Sequence, residues 1–416
     1  MEKPCLEIDK GHIQRVFDFT DEVVEQYPNR LAGTEACRNA ANRIRDEFIS
    51  NCGSRSVQIE DFTVHPKSFL KYIPGLVAIY IICSVLLYLQ FPVPAFIGYS
   101  LGIFVFYSQF VRYWEIFDPL FPKASGYNVF GSIEPEGEVR RQVIISGHHD
   151  AAYVFQLIAH APRYYAKFIN AGVLFLGLGF LVSLIGTILT IFHIPTPEWA
   201  HPWVPLLLVG GGVFLLPLAF FTTGQVSPAA GDNMIAVAIA NEVAKLFHDA
   251  KQAGINPLRH TRLMVASFDA EEAGLRGARA FCKKHGEELL RTKTYVLNID
   301  TLYKVKDLNF LDHDLNSSVK LSHEMAQDCV DIAESLGYRA DITKMPFGAG
   351  STDAAAFGKI GVEATNMGGI SFDISQFGEG LVYHTRNDLT KYIEPEMVEA
   401  GLKIVRDYIL KKDDES

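Results

Sequence analysis

The chain has 416 residues and a formal net charge of −10 at pH 7. Hydrophobic residues make up 49% of it and charged residues 21%, a balance that is apolar for a soluble enzyme and predicts membrane spans. The negative charge argues against nucleic acid as a partner. The six cysteines lack the spacing of a disulfide scaffold or a zinc finger, which indicates reduced thiols in a reducing compartment.

Strand and helix patterns alternate along most of the chain. In chain order, the sequence predicts a helix at 34–50, strands at 57–64, 127–133 and 142–146, a helix at 234–247, a strand at 262–268, a helix at 275–284, a strand at 295–300, and helices at 318–336 and 395–410. This alternation predicts a layered α/β domain. Ligand sites in such domains lie at strand ends and in the loops that follow them.

Four apolar segments without Asp, Glu, Lys or Arg interrupt this alternation, at residues 72–91, 95–111, 168–192 and 203–221. Their lengths match the roughly 17 to 25 residues that a bilayer core requires. They predict two transmembrane hairpins, at 67–112 and 163–222, inserted into an α/β domain formed by residues 1–66, 113–162 and 223–416. The alternative is a set of buried helices in a large soluble core. Tyr164 and Trp203, at segment edges as in an interfacial belt, favour the membrane.

Basic residues predict the orientation of these hairpins. The loops within the hairpins carry no Lys or Arg, whereas their other ends are flanked by Lys67, Lys71, Arg112, Arg163 and Lys167. By the positive-inside tendency, both hairpins enter from the cytoplasm and the α/β domain faces the cytosol. The first ten residues are polar and show no cleavable signal peptide, which agrees with this orientation.

Metal-ligand residue types stand at or just after several predicted strands. In chain order they are His148-His149-Asp150, Asp232-Asn233, Glu271-Glu272, Asp300 and Tyr383-His384. Each group alone has a simpler explanation, such as a helix start for Asp232 or a solvated surface pair for Glu271 and Glu272. Their combination in one ordered series predicts a metal site.

The donor types indicate which metal and how many ions. His148, Glu272, Asp300 and His384 offer two nitrogens and two carboxylates, and Asp232 adds a carboxylate that can bridge, so two ions can share the set. Nitrogen and oxygen donors without cysteine favour zinc, and manganese or cobalt would also fit.

Two acidic residues are left without a metal in this arrangement. Glu271 is the candidate general base of a hydrolase, since a free carboxylate can take a proton and pass it to a leaving amine. Asp150 shares a strand face with His148 and can orient its ring or act nearby.

The ordered residues resemble the co-catalytic dizinc peptidases, the family that includes the bacterial leucyl aminopeptidases and glutamate carboxypeptidase. The similarity covers about residues 10–64 and 125–412, and includes the segments Asn29-Arg30-Leu31-Ala32-Gly33 and Ser351-Thr352-Asp353. It departs at Ala236 and Ala278, where the family usually has glycine and serine, and neither is a ligand. The resemblance implies a three-layer phosphorylase/hydrolase-like sheet flanked by helices, to which the two transmembrane hairpins are added.

The resemblance also implies a role for each site residue. His148 and Asp300 would hold one zinc, Glu272 and His384 the other, and Asp232 would bridge the two zinc ions. Asp150 would orient His148, and Glu271 would be the general base. Tyr383 would donate a hydrogen bond to the tetrahedral oxyanion.

These residues predict a membrane-embedded dizinc exopeptidase, an aminopeptidase, that acts on a peptide or acyl amino acid. Phe221 and Asp232 are 11 positions apart, at most about 35 Å of extended chain, which places the site near the bilayer and predicts delivery of substrate at the membrane. A carboxypeptidase or an amidohydrolase of N-acyl amino acids remains open, because the pattern does not place Arg276 and Arg386. So does a non-catalytic membrane scaffold, although scaffolds typically lose ligands. The oligomeric state is also open.

Overall fold

The computed structural model describes residues 6–197, 200–371 and 381–415. Its helices are α1 (Lys10–Gln26), α2 (Glu35–Cys52), α3 (Ser68–Tyr88), α4 (Pro92–Phe106), α5 (Gln156–His160), α6 (Tyr165–Ile191), α7 (Trp203–Ala219), α8 (Ile235–Gln252), α9 (Arg276–Arg291), α10 (His323–Ser335), α11 (Ala354–Lys359) and α12 (Pro395–Asp414). Its strands are β1 (Gln58–Val64), β2 (Ala124–Ile133), β3 (Arg141–His148), β4 (Tyr153–Phe155), β5 (Thr222–Val226), β6 (Thr261–Phe268), β7 (Lys293–Leu302), β8 (Leu308–Asp314), β9 (Val319–Lys320), β10 (Asp341–Lys344) and β11 (Glu363–Gly369).

The central sheet has nine strands in the described part of the chain, in the order β1-β2-β6-β3-β7-β11-β8-β10, with β9 beside β8. The four middle strands β6, β3, β7 and β11 are parallel, whereas β1, β2 and β8 join antiparallel. The carboxyl ends of the four middle strands therefore lie at one edge of the sheet. The predicted α/β fold with a central sheet is confirmed.

Helices cover both faces of this sheet because its central strands are apolar on both sides. Val143 and Ile145 of β3 belong to the same buried cluster as Val237 of α8. Ile144, between them, belongs instead to a cluster with Phe281 of α9 and Phe357 of α11. This alternation follows from the two-residue period of a strand and produces three layers, helix, sheet and helix.

Among the predicted elements, the helix over 318–336 differs from the structure in kind as well as in its bounds. Instead of one helix over 318–336, the chain forms the short strand β9 and then α10, which begins at His323. The Ser322 side chain accepts a hydrogen bond from the Met325 backbone N–H at 3.3 Å. Such a cap satisfies a free donor of the first helical turn and fixes where the helix begins.

Helices α3, α4, α6 and α7 form a separate apolar bundle. Three described helical segments are long and apolar enough to cross a membrane, namely Ser68–Tyr88, Pro92–Val111 and Pro162–Ile191. The fourth predicted span corresponds to Trp203–Ala219, an apolar helix of 17 residues that is shorter than the other three. Large side chains on the bundle point outward, such as Ile97 (64% exposed) and Val213 (65% exposed). An exposed apolar surface of this kind indicates contact with a membrane or a partner.

Close helix packing and a few satisfied polar groups hold the bundle together. Gly98 lies against Cys83 and Gly179 against Tyr99, where an added Cβ would clash. Inside the bundle, the Tyr80 hydroxyl donates to the Leu208 carbonyl at 2.6 Å. Small residues at helix contacts and interhelical hydrogen bonds are the interactions that stabilise membrane helix bundles.

The two ends of the bundle differ in what they contact. At one end His201 Nε2 lies 3.1 Å from the Tyr88 carbonyl, so the loops that close the two hairpins meet there. At the other end Asp118 accepts hydrogen bonds from Ser68 at the start of α3 (2.8 Å) and from Nε of Arg276 in the sheet domain (2.9 Å). This buried ion pair attaches the bundle to the sheet domain.

Candidate metal centre

The parallel strands bring the predicted ligands to one edge of the sheet. His148 is the last residue of β3, and Asp300 lies near the end of the neighbouring strand β7. Ser146 of β3 pairs with Asn298 of β7, so His148 and Asp300 are level with each other two residues later. Glu271 and Glu272 follow β6, Asp232 precedes α8, and His384 comes from the loop that begins at residue 381.

Asp232 lies between the two histidines. Its Oδ1 is 3.3 Å from His148 Nε2 and its Oδ2 is 2.9 Å from His384 Nε2. Glu272 Oε1 lies 3.2 Å from His384 Nε2. Asp300 Oδ1 lies 3.9 Å from His148 Nε2. The five predicted ligands are thus together, in two groups that share Asp232.

The donor atoms of this cluster fit a bound cation. His148 Nε2, Asp232 Oδ2 and Glu272 Oε1 are buried, and their short contacts lack hydrogen-bond geometry. One ligand atom from each of these three residues lies within 4.8 Å of the others. Buried polar atoms without hydrogen bonds are rare in native proteins, and a cluster of them is typical of a site that binds an ion. Imidazole and carboxylate donors without a thiolate are also the set found in catalytic zinc sites.

Electrostatics at the site favour positive charge. Burial raises the pKa of Asp300 to about 7, and it raises the pKa of Glu271 well above its usual range. Burial alone would lower the pKa of His384, but the neighbouring Glu272 and Asp232 raise it to about 10. All three pKa values are raised, by burial for the two carboxyl groups and by neighbouring carboxylates for the imidazole. The site therefore gathers more carboxylates than it can keep ionised away from water. Divalent cations would relieve that excess.

Asp150 contacts both His148 and the turn that carries the glutamates. His148 Nδ1 lies 3.2 Å from the Asp150 carbonyl oxygen and 3.4 Å from its Oδ1. The Asp150 carboxylate accepts the backbone N–H groups of Glu271 at 3.0 Å and Glu272 at 3.1 Å. Asp150 therefore fixes the position of the two glutamates relative to His148.

Sequence reasoning gave no role to several residues that support this cluster. Asp388 accepts the backbone N–H groups of Gly231 at 2.8 Å and Asp232 at 3.2 Å. The Thr301 hydroxyl donates to Asp300 Oδ1 at 2.8 Å. Asp388 lies four positions after His384 in the same polar loop. Polar loop residues often have functional roles, and this was the one signal for Asp388 in the sequence.

Asp353 is a further acidic residue near the cluster. It is fully buried, and neither of its carboxylate oxygens has a hydrogen-bond partner in the described part of the chain. It belongs to the Ser351-Thr352-Asp353 segment on which the sequence resemblance partly depended.

Aromatic rings and an unusual backbone hold the last ligand. The Tyr383 ring stacks on His384 with centroids 4.0 Å apart, and Phe155 meets the same ring edge-on at 4.1 Å. His384 has φ of 52°, and Ala270 and Thr301 beside other ligands have φ of 60° and 61°. Left-handed backbone at non-glycine residues is costly and concentrates at functional sites.

The cluster opens into a cavity of about 1160 Å³, counting the part that is open to solvent. Its polar wall contains Asp232, Glu271, Glu272, Asp300, Tyr383 and His384. Its apolar wall comes largely from the bundle and from residues beside it, such as Tyr72 and Phe221. No Lys or Arg lines the cavity among the residues that the structure describes.

The two arginines that the sequence did not place lie away from this cavity. Arg276 is buried, and its Nε and Nη2 donate to Asp118 at 2.9 Å and 3.1 Å. Arg386 is exposed. Neither residue lines the cavity, so neither is positioned to recognise a substrate carboxylate.

Comparisons with known proteins agree with this geometry. Residues 217–409 match the family model of peptidase family M28. A comparison with curated proteins gave no match.

Solved structures similar to the chain cover nearly its whole length. One is a Zn-dependent exopeptidase from Parabacteroides distasonis, with 13% identity, a TM-score of 0.55, and coverage of 96% of this chain and 97% of that one. Another is a glutaminyl cyclase from an Acidobacteriales bacterium, with 13% identity, a TM-score of 0.56, and coverage of 99% and 97%. A third is BSAP, a zinc aminopeptidase from Bacillus subtilis, with 13% identity, a TM-score of 0.55, and coverage of 96% and 95%.

The family match includes Asp232, Glu271, Glu272, Asp300 and His384, whereas His148 precedes it. The family and its zinc-dependent structural relatives support a zinc hydrolase, as the sequence predicted. The resemblance inferred from the ligand series is therefore confirmed: residues 217–409 match the model of peptidase family M28, and the chain has a fold similar to that of zinc-dependent exopeptidases.

Proposed function

We propose that this protein is a membrane-embedded dizinc aminopeptidase. The observation that carries the proposal is the convergence of five ligand side chains around Asp232, with the carboxylate of Glu271 beside them in the same cavity. Peptide substrates and zinc follow from the family. The choice of an aminopeptidase and the number of metal ions rest on the residues of the site.

The grouping of distances supports two ions. We assign His148 and Asp300 to one zinc and Glu272 and His384 to the other, with Asp232 between them. The two carboxylate oxygens of Asp232 face different histidines, at 3.3 Å and 2.9 Å, as a bridging residue requires. When bound, zinc polarises the scissile carbonyl and lowers the pKa of a coordinated water.

The remaining residues supply proton transfer and charge stabilisation. Glu271 takes a proton from the attacking water and passes it to the leaving amine. Burial raises the pKa of Tyr383 well above its usual value, so its hydroxyl stays protonated and can donate to the developing oxyanion. Asp150 keeps Glu271 in place through the hydrogen bond to its backbone N–H.

The side chains that line the cavity favour a substrate with a free amine over one with a free carboxylate. Its charged lining residues are carboxylates and one histidine, without Lys or Arg among the described residues. With zinc bound, the ions would offset the charge of their ligands, and a substrate carboxylate away from the ions finds no cationic side chain to bind, whereas a substrate ammonium group can pair with a lining carboxylate. This argues for an aminopeptidase over a carboxypeptidase or an amidohydrolase of N-acyl amino acids.

Three substrates with one leucine core distinguish these functions. We expect detergent-purified protein to hydrolyse leucine para-nitroanilide, and to hydrolyse its N-acetyl analogue with kcat/KM lower by about a hundredfold or more, since the ammonium contact is lost. Lauroyl-leucine, which has a free carboxylate, should be a poor substrate. A preference for lauroyl-leucine would overturn the aminopeptidase assignment. Bound zinc without turnover of any of the three would favour a scaffold.

We further propose that α3, α4, α6 and α7 are all embedded in a bilayer, as hairpins at 67–112 and 163–222. The peptidase domain, formed by residues 1–66, 113–162 and 223–416, would lie on the cytoplasmic side. The outward apolar side chains support the embedding, and α7 packs against the longer apolar helices α3 and α6. The Lys and Arg residues that flank the hairpins on the domain side support the orientation, and the two hairpin loops meet at the opposite end of the bundle.

A reporter fused to the C-terminus tests this topology. In a bacterial host, green fluorescent protein at that position should fluoresce, and alkaline phosphatase at the same position should be inactive. An active phosphatase would show that the domain faces the other side. Recovery of the protein in the soluble fraction without detergent would contradict the embedding itself.

A further inference from the structure

A second cavity lies inside the helical bundle and adjoins the cavity of the metal centre. It measures about 690 Å³, counting its open parts. Both cavities are lined by the same five residues, which are Tyr72, Ile73, Phe110, Tyr165 and Phe221. Phe221 packs against Phe155 with ring centroids 4.5 Å apart, and Phe155 contacts the ring of His384 at 4.1 Å. An aromatic wall therefore leads from a metal-ligating residue into the bundle.

The lining of the bundle cavity is predominantly apolar. Beyond the shared residues it comes mainly from aliphatic and aromatic side chains, such as Leu76, Val77, Ile169, Leu176 and Leu215. The hydroxyl of Tyr80 is already bonded to the Leu208 carbonyl. Tyr72 and Tyr80 are eight positions apart on α3, so the cavity extends about 12 Å along the bundle at 1.5 Å per helical residue.

The apolar lining makes a hydrocarbon chain a favourable occupant of the bundle cavity and a peptide backbone an unfavourable one. A peptide backbone would leave its N–H and C=O groups without partners there, which is unfavourable in an apolar site. A hydrocarbon chain has no such groups, and each methylene removed from water contributes roughly a fourfold gain in binding. The cavity therefore suits a flexible alkyl chain.

The reaction determines which part of the substrate can enter. After attack at the first peptide bond, the leaving peptide carries a backbone that must remain in contact with water. The acyl side of that bond holds one residue, so its side chain is the group that can extend from the metal centre into a dry cavity.

We propose that the bundle cavity binds a long hydrocarbon side chain on the amino-terminal residue of the substrate. The substrate class is then an amphiphile, with a free amine and an amide at the metal centre and a lipid-like chain between the helices. This inference rests on the proposed aminopeptidase function. It also gives the bundle a role beyond anchoring, because molecules of this class concentrate in the bilayer.

A series of para-nitroanilides tests the proposal on the full-length protein in one detergent. The series has free amines and side chains of increasing length, from alanine through leucine and α-aminooctanoic acid to α-aminododecanoic acid. We expect kcat/KM to rise about tenfold or more from alanine to the longest member, which is well below the gain for complete transfer of the chain from water.

A pair of substitutions on α6 locates the effect. Leu176 lines the cavity and is 8% exposed, whereas Leu174 on the same helix is 58% exposed on the outer surface. Leu176→Trp should lower kcat/KM for the longest substrate about tenfold and leave alanine para-nitroanilide unchanged, because the indole fills the space of the chain. Leu174→Trp should change neither rate. If Leu176→Trp does not fold, Val77→Phe on α3 adds bulk to the same cavity.

Other results would contradict either chain binding in the bundle cavity or the aminopeptidase activity itself. Hydrolysis of leucine para-nitroanilide without a rise for longer chains would overturn the inference and leave the proposed function intact, as expected if a bilayer lipid fills the cavity. Equal losses on short and long substrates in Leu176→Trp would do the same. Faster turnover of alanine dodecylamide than of the α-aminododecanoic substrate would place the chain on the leaving side. Absence of turnover on every substrate would overturn the proposed function and this inference with it.

Discussion

Glu271→Gln is expected to lower kcat for leucine para-nitroanilide by about a thousandfold while the zinc content stays unchanged, because general-base catalysis contributes roughly a hundredfold to ten-thousandfold. The amide keeps the shape of the side chain but cannot accept and deliver a proton. Glu271 lies beside the ligand group, with Oε2 3.9 Å from His148 Nε2, and its backbone is fixed by Asp150. The substitution therefore removes proton transfer without removing a proposed ligand.

Steady-state kinetics and metal analysis on the same preparation measure this effect. Glu25→Gln, the same change at an exposed position of α1, is the matched control and should retain the full rate. A Glu271→Gln protein that keeps most of its activity would show that another group is the base. Loss of zinc together with activity would show that Glu271 is a ligand.

Asp232→Asn is expected to lower the zinc content below two ions per chain and the rate by more than about a hundredfold. Replacing a residue that only hydrogen-bonds to a metal ligand lowers metal affinity or activity roughly 10- to 100-fold. Replacing a ligand that bridges two ions should have a larger effect. The geometric reason is that each Asp232 oxygen faces a different histidine. An asparagine offers one oxygen, so it can satisfy one ion and leaves the other with fewer ligands.

Zinc per chain and kcat are again measured together. Asp341→Asn, at an exposed position of β10, should leave both quantities unchanged. A fully active Asp232→Asn protein with two bound ions would contradict the bridging role. A protein that holds one ion and remains active would point to a single-zinc enzyme.

The sequence predicted the strands whose apolar residues face both layers, and it missed a central strand. Strands β3, β6 and β7 are runs of large apolar residues, which identify them without further information. Strand β11 has the sequence Glu-Ala-Thr-Asn-Met-Gly-Gly and lacks such a run. It is held in part by a row of polar side chains, in which Asn298 bonds to Ser146 at 2.7 Å and to Asn366 at 2.8 Å. Hydrophobic periodicity cannot reveal a strand of this kind.

The residues of the site also differ in whether the sequence pattern could reveal them. Four of the five ligand candidates could be identified because each stands at or beside a strand or helix that the sequence predicts. His384 lies in a loop, and its place as the last member of the ordered series identified it. Asp388 could not be identified, because its role depends on the meeting of two loops 156 residues apart in sequence. The bundle cavity was also invisible, since a residue such as Leu176 facing a cavity and one such as Leu174 facing outward are identical in composition.

The most direct test of the central claim is release of para-nitroaniline from leucine para-nitroanilide by detergent-purified protein before zinc removal, after it, and during titration with zinc. Activity is expected to disappear with the metal and to return as about two zinc ions bind per chain. Activity that survives complete zinc removal, or zinc binding that restores no turnover, would contradict a dizinc aminopeptidase.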